Sequence, residues 1–390
     1  MNDIKLLASK TIDFAQSIFG NDFIPLHRPI FLGNEKEYLI ECIDSNFVSS
    51  VGQKVTDFED KTAEFIGSKY AVATVNGTAA LQVAIELSGV NSGDEILTQA
   101  LTFVATCNAI SYAGASPVFI DVDKESLGMS FLSLKIFLES NAVVRHGICY
   151  NKNSGKKISA CIPMHTYGFP CEIKEISDIC KEWNIFLIED AAESLGSYVG
   201  NKHTGTFGNL ATLSFNGNKV ITTGGGGMII TDDEALAKLA KHKTTTAKLP
   251  HAYEYVHDQI GYNYRMPNLN AALGCAQIEK LKDFLLVKAK LANMWEEFFL
   301  NSGIKFVNAR KNNRPNYWLN TIILNNRMER DAYLEATNAN GVMTRPAWEL
   351  MSNLKMYKKF ENDGLLNSIW LQDRIVNIPS SVPYNFKEKL

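Results

Sequence analysis

The chain has 390 residues, 46% hydrophobic and 21% charged, with a formal net charge of -3 at pH 7. This is an ordinary globular composition, sized for a large domain plus a smaller one, with no electrostatic reason to expect a nucleic acid partner. Seven cysteines (Cys42, Cys107, Cys149, Cys161, Cys171, Cys180, Cys275) lack CxxC spacing and read as reduced, buried thiols of a cytoplasmic protein, and no apolar run reaches the ~20 residues of a membrane span.

Residues 1–25 read as an amphipathic helix ending near Gly20 rather than as a signal peptide. Its apolar positions Ile12, Phe14, Ala15, Ile18 and Phe19 suit packing on the body or on a second subunit. From about residue 68 strands and helices alternate. Strand 70–75 leads to helix 78–87, strand 95–98, helix 104–112 and strand 117–122. Strand 159–163, helix 172–183 and the continuous apolar strand 185–189 come next. Such a run is expected of a strand buried on both faces, and the alternation predicts an α/β domain with a mostly parallel sheet. Strands 211–215 and 228–231 flank a glycine run, and Thr231-Asp-Asp-Glu234 predicts a helix opened by a capping box. A long helix over 268–300 leaves the large domain, and a strand near 318–324 lies in the C-terminal remainder of the chain. The expected divisions are an N-terminal helix and lead-in over 1–44, a large domain over 45–275, and a small α+β domain over 276–390.

Three features could carry chemistry. Asn76-Gly77-Thr78-Ala79-Ala80 precedes a helix, where free N–H groups and a partial positive charge hold a phosphate well; the plainer reading is a helix N-cap. Asp190, after the apolar strand, sits where parallel sheets place ligands and could keep a pyridinium nitrogen protonated; it could equally cap a following helix. Lys219, between a strand and Gly224-Gly225-Gly226-Gly227, could be a desolvated amine reactive toward an aldehyde, or a surface lysine before a flexible loop. Lys238, Lys241, Lys243 and Lys248 form a solvated face or a diphosphate contact. The histidines show no ligand spacing, so no metal is expected, and His165 is either a structural histidine or a neighbour of the site.

The order phosphate turn, aspartate, lysine resembles the aspartate-aminotransferase-type fold that binds pyridoxal 5'-phosphate (PLP). Ordered blocks resemble the DegT/DnrJ/EryC/StrS nucleotide-sugar aminotransferases, from about residue 25 to the C-terminus. They are Gly33-Asn-Glu, FVSSVG at 47–52, NGTAAL at 76–81, TFVAT at 102–106, PVFIDV at 117–122, HTYG at 165–168 and EDAAESLG at 189–196. Ser214–Lys219, GYNYRMP at 261–267 and TRPAW at 344–348 complete the series.

The resemblance implies that Lys219 holds PLP as a Schiff base and shuttles the proton, while Asp190 bonds the ring nitrogen. It implies that Gly77, Thr78 and Ser214 hold the phosphate, that Phe103 stacks on the ring, and that Glu193, one helical turn beyond Asp190, faces the ring hydroxyl or the substrate. Asn263 is expected to reach the phosphate from the neighbouring subunit of a homodimer, and Lys248, Arg345 and Trp348 to meet substrate. Asn216-Gly217 and Gly225 depart from the broader pattern and resemble the subgroup acting on UDP-linked 4-keto-6-deoxy-N-acetylhexosamines, in bacillosamine- and legionaminic-type synthesis. The implied reaction moves an amino group from L-glutamate to a keto sugar, through PLP and its pyridoxamine form. A sugar dehydratase of the same fold would carry histidine in place of Lys219, and a catalytically idle binding protein would have no reason to keep Thr78, Asp190, Ser214 and Lys219 together.

Overall fold

The apolar runs assemble into one seven-stranded sheet in the computed structural model of the chain, which describes residues 2–384. Met1 and residues 385–390, the tips of the first and last expected segments, lie outside the described residues. In chain order the strands are β1 (Tyr70–Thr74), β2 (Glu95–Gln99), β3 (Ser116–Ile120), β4 (Ile158–Ile162), β5 (Phe186–Asp190), β6 (Leu210–Ser214) and β7 (Gly227–Thr231). Across the sheet they run β1-β7-β6-β5-β4-β2-β3, and only β7 opposes its neighbours. The sheet is mostly parallel, as expected, and every residue of β2 and β4 is buried. Helices covering both faces explain why these strands are apolar throughout rather than alternating.

Helix α1 (Asn2–Phe19) opens the chain, α2 (Gly77–Leu87) connects β1 to β2, and α3 (Val104–Tyr112) connects β2 to β3. Helix α4 (Glu234–Thr244) follows β7, but not through the expected capping box. Thr231 is still the last residue of β7, and its hydroxyl accepts the Asp233 N–H; the Asp233 carboxylate caps the helix by accepting from Ala235 and Leu236. A residue held in a strand ladder cannot supply the first helical turn.

Helix α5 (Asn268–Phe299) is shared by two cores. Its first half (Ala271, Cys275, Ile278) packs into the core of the large sheet, and its second half (Leu291, Trp295, Phe299) into a separate C-terminal core. That second core sits on a four-stranded antiparallel sheet of β8 (Lys305–Phe306), β9 (Asn320–Ile323), β10 (Arg345–Pro346) and β11 (Ile375–Ile378), ordered β8-β9-β11-β10. Helix α6 (Arg327–Ala339) covers it. Helix α1 packs here, on its own chain. Ile4, Ala8, Ala15 and Ile18 are buried, while Ile12, Phe14 and Phe19 lie half-buried at the rim, with Phe14 stacked on Phe298 at 4.6 Å.

Candidate active site

The carboxyl ends of β5 and β6 and the amino end of α2 converge on a cavity of about 380 Å³. Its walls include Gly77, Thr78, Phe103, Asp190, Glu193, Ser214, Lys219, Trp318 and Trp348. At the start of α2 the Asn76 side chain accepts the Ala79 N–H at 2.8 Å. The N–H groups of the first two helical residues, Gly77 and Thr78, have no intrahelical acceptor and concentrate positive potential at the cavity wall. Glycine at 77 lets α2 start close against β6, since a Cβ there would stand 3.0 Å from Ser214 Cβ. The glycine run after Lys219 also answers to packing: a Cβ on Gly227 would come within 2.4 Å of the Asn76 backbone.

Alternation along β5 sends its two terminal carboxylates to opposite faces. Glu189 points away from the cavity, where it accepts from His165 Nε2 at 3.0 Å and from the Gly205, Phe207 and Gly208 amides. These bonds hold its carboxyl below the usual range despite burial. The Cys171 N–H donates to His165 Nδ1, so the ring carries its proton on Nε2 and donates it to Glu189. His165 is therefore a structural histidine.

Asp190 faces the cavity, 2% exposed. Burial pushes its carboxyl upward, against the Thr106 hydroxyl donating at 2.7 Å and the Ala192 N–H at 3.2 Å. No helix follows it. Residues 191–197 form successive turns, with Ser194 N donating to Ala191 O and Gly196 at φ +89°. Glu193 is thus brought round by turns rather than by a helical repeat. It lies 3.2 Å from Lys219 Nζ, and its other oxygen accepts the Tyr167 N–H at 2.8 Å. Tyr167 is held at φ +57°, a conformation costly for a bulky side chain, and this turn is what aims the N–H at Glu193. Burial raises the Glu193 carboxyl, and the Lys219 charge opposes that rise.

Lys219 Nζ also lies 3.8 Å over the Trp318 ring, and the Trp318 indole N–H donates to Asn218 O at 2.7 Å. Trp318, on the segment leading into β9, was not legible as a site residue because nothing in its local sequence marks it. Asn316 holds it in place: Oδ1 accepts the Trp318 N–H, and Nδ2 donates to Glu193 O and Leu195 O. Thr106 was legible only as part of the TFVAT block.

Phe103 is 51% exposed beside the cavity, and Trp348 lies edge-on to it at 6.3 Å. Arg345 lines an adjoining cavity rather than this one. Asn263 is exposed and absent from the lining of this cavity, bridged to Thr245 and accepting from Arg265. Lys248 is also outside the cavity, its Nζ 3.9 Å over Tyr255. Lys238, Lys241 and Lys243 pair with Glu234, Glu59 and Glu86, which accounts for their cluster as a salt-bridged surface.

The model of the DegT/DnrJ/EryC1/StrS aminotransferase family matches residues 31–388. The chain belongs to that family. It is similar to the GDP-perosamine synthase of Escherichia coli O157:H7, 36% identical over 92% of this chain and 93% of the relative. It is also similar to the putative pyridoxal phosphate-dependent aminotransferase EpsN of Bacillus subtilis, 35% identical over 83% and 82%. In fold it matches Helicobacter pylori PseC, an aminotransferase of pseudoaminic acid biosynthesis, with a TM-score of 0.83 at 21% identity, over 92% of this chain and 94% of that one. The chain is a PLP-dependent sugar aminotransferase.

Proposed function

We propose that the chain transfers an amino group from L-glutamate to the C4 keto group of a nucleotide-linked 4-keto-6-deoxy sugar. The observation that carries this is the convergence of Lys219, Asp190 and the open amino end of α2 on one cavity. These groups suit the parts of PLP: the Gly77 and Thr78 amides with the Thr78 and Ser214 hydroxyls for its phosphate, Asp190 for its ring nitrogen, Phe103 for its ring face, and Lys219 for its aldehyde carbon. When bound, the cofactor supplies an electrophilic carbon that takes up the amine and a ring that disperses the electron pair left by proton loss.

The remaining chemistry belongs to the chain. Lys219 Nζ takes a proton from the donor α-carbon and delivers one at the acceptor's C4 in the second half-reaction, so that proton transfer is effectively intramolecular. Glu193, raised by burial and 3.2 Å away, can receive the ammonium proton that Lys219 must lose before its amine is nucleophilic. Trp318, Phe103 and Trp348 supply apolar walls beside the reacting carbon.

The expected unit is a homodimer in which Asn263 completes the phosphate site of the partner. Its exposure outside the lining of its own chain's cavity supports that placement, as do the exposed Phe31, Ile40, Ile43, Phe47 and Val51. Seven free, buried cysteines agree with a cytoplasmic setting. The nucleotide is read as UDP, with an N-acetylated sugar of the bacillosamine or legionaminic type, from Asn216-Gly217 and Gly225. A GDP-linked acceptor is the second reading, favoured by the relatives named GDP-perosamine synthases. Incubation with L-glutamate and UDP- or GDP-linked 4-keto-6-deoxy sugars, with product analysis, separates the two. Lys219→Ala should abolish turnover and the borohydride-fixable attachment of PLP; turnover of free keto acids alone would refute the sugar assignment.

A further inference from the structure

A second cavity of about 520 Å³ adjoins the Lys219 pocket, and Asn218, Trp318 and Trp348 line both. Its walls carry polar groups that the fold leaves unused. Both ring nitrogens of His27 are buried without a hydrogen-bond partner among the described residues, and so is the Tyr167 hydroxyl. The Asn218 backbone faces the His27 ring and the Asn377 amide faces the Tyr167 hydroxyl, but neither meets hydrogen-bond geometry. Unpaired polar groups at such depth cost stability unless something else satisfies them.

One charged side chain, Arg345, lines the cavity beside His27, and no aspartate or glutamate is among its lining residues. Arg345 is the cross-strand partner of Asn377, and its Nη1 is engaged with Asn338 and Thr344. Beneath the wall, Lys288 is buried with its ammonium on two carbonyls, Trp318 O and Ser380 O, and pairs with no acid among the described residues. Burial, Lys288 and Lys219 together hold His27 well below its ordinary pKa, so the ring is neutral and offers one donor and one acceptor.

We propose that this cavity binds a carboxylate of the amino donor, with His27 and the Tyr167 hydroxyl donating hydrogen bonds and Arg345 supplying the opposing charge. The inference rests on the aminotransferase reading above and adds a donor subsite to it. Proximity selects a carboxylate over the diphosphate of the sugar nucleotide. The donor's α-carboxylate is one bond from its reacting carbon, whereas in a sugar the hexose ring separates C4 from the phosphates. The cavity shares Asn218, Trp318 and Trp348 with the Lys219 pocket, and an anion held so close to it is assigned to the smaller substrate.

The test uses PLP-loaded protein. The change in visible absorbance on adding L-glutamate reports the donor half-reaction, and the same change on adding aminated sugar nucleotide reports the acceptor half run backwards. His27→Leu and Tyr167→Phe should each raise the L-glutamate concentration for half-saturation by about tenfold. The aminated sugar should be bound as in the wild type, and His27→Gln, which retains a donor, should recover part of the loss. Tyr167→Phe removes one hydroxyl and keeps the test decisive if His27→Leu does not fold. Unchanged L-glutamate dependence in the variants, or equal weakening of both substrates, overturns the inference. A wild type that ignores L-glutamate but responds to another amino donor overturns the L-glutamate reading instead.

Discussion

Thr106→Val isolates the contribution of a single buried hydroxyl to cofactor binding. Thr106 Oγ1 donates to Asp190 Oδ2 at 2.7 Å, and Thr102 Oγ1, 3.1 Å from Thr106 Oγ1, continues the chain of hydroxyls. Valine keeps the shape and removes the donor, which leaves the Asp190 carboxylate with the Ala192 N–H. A hydrogen bond to a charged group contributes roughly 1.5–3 kcal/mol, or about 10- to 150-fold in an equilibrium constant. The carboxyl, already raised by burial, moves further up, and its grip on a protonated ring nitrogen weakens. PLP titration of the apoprotein should therefore give a Kd raised within that range, with kcat falling in parallel. Thr102→Val, one step removed, should have a smaller effect in the same direction. A Thr106→Val protein that folds and keeps both Kd and kcat within about twofold of wild type would refute the reasoning.

Glu193→Gln keeps an acceptor for the Tyr167 N–H but removes the charge facing Lys219; PLP should still bind while kcat falls by about 10- to 100-fold, measured across a pH–rate profile. Lys288 is pushed down to about 7 by burial alone. Between pH 7 and its unfolded value near 10.4 the unfolded chain binds the extra proton, so stability gains with rising pH. Relative to Lys288→Met, the wild type should gain roughly 1 kcal/mol per pH unit in that window, read from urea unfolding at pH 7, 8 and 9; a pH-independent difference would contradict it. Gly168 sits at φ +95°, and a Cβ there would lie 1.9 Å from Asn316 Oδ1. Gly168→Ala should lower unfolding stability by at least about 2 kcal/mol and disturb Trp318 fluorescence, since Asn316 anchors Trp318.

Much of the scaffold was readable because β2, β4 and β5 are buried on both faces and announce themselves as apolar runs. Asp190 was readable because it ends such a strand, and Lys219 because it stands between a strand and a glycine run. Two local misreadings share one cause. Thr231 and Asp190 both belong to strand ends, where ladder hydrogen bonds override the short-range helix signals that follow them. Trp318, Asn316, Lys288 and His27 were illegible as a group. Their importance comes from contacts such as Asn316 to Glu193 and Lys288 to Ser380, which join segments far apart in the chain and leave no local pattern.

Lys288 spans 30 residues to Trp318 O and 92 to Ser380 O. The wall that Trp318 presents to Lys219 is thus tied to the segment that follows β11, the last strand of the small sheet. During synthesis, Lys219 is made long before that strand exists. A nascent chain therefore carries the lysine without its finished enclosure, and the enclosure closes only once the residues through Ser380 are free to fold.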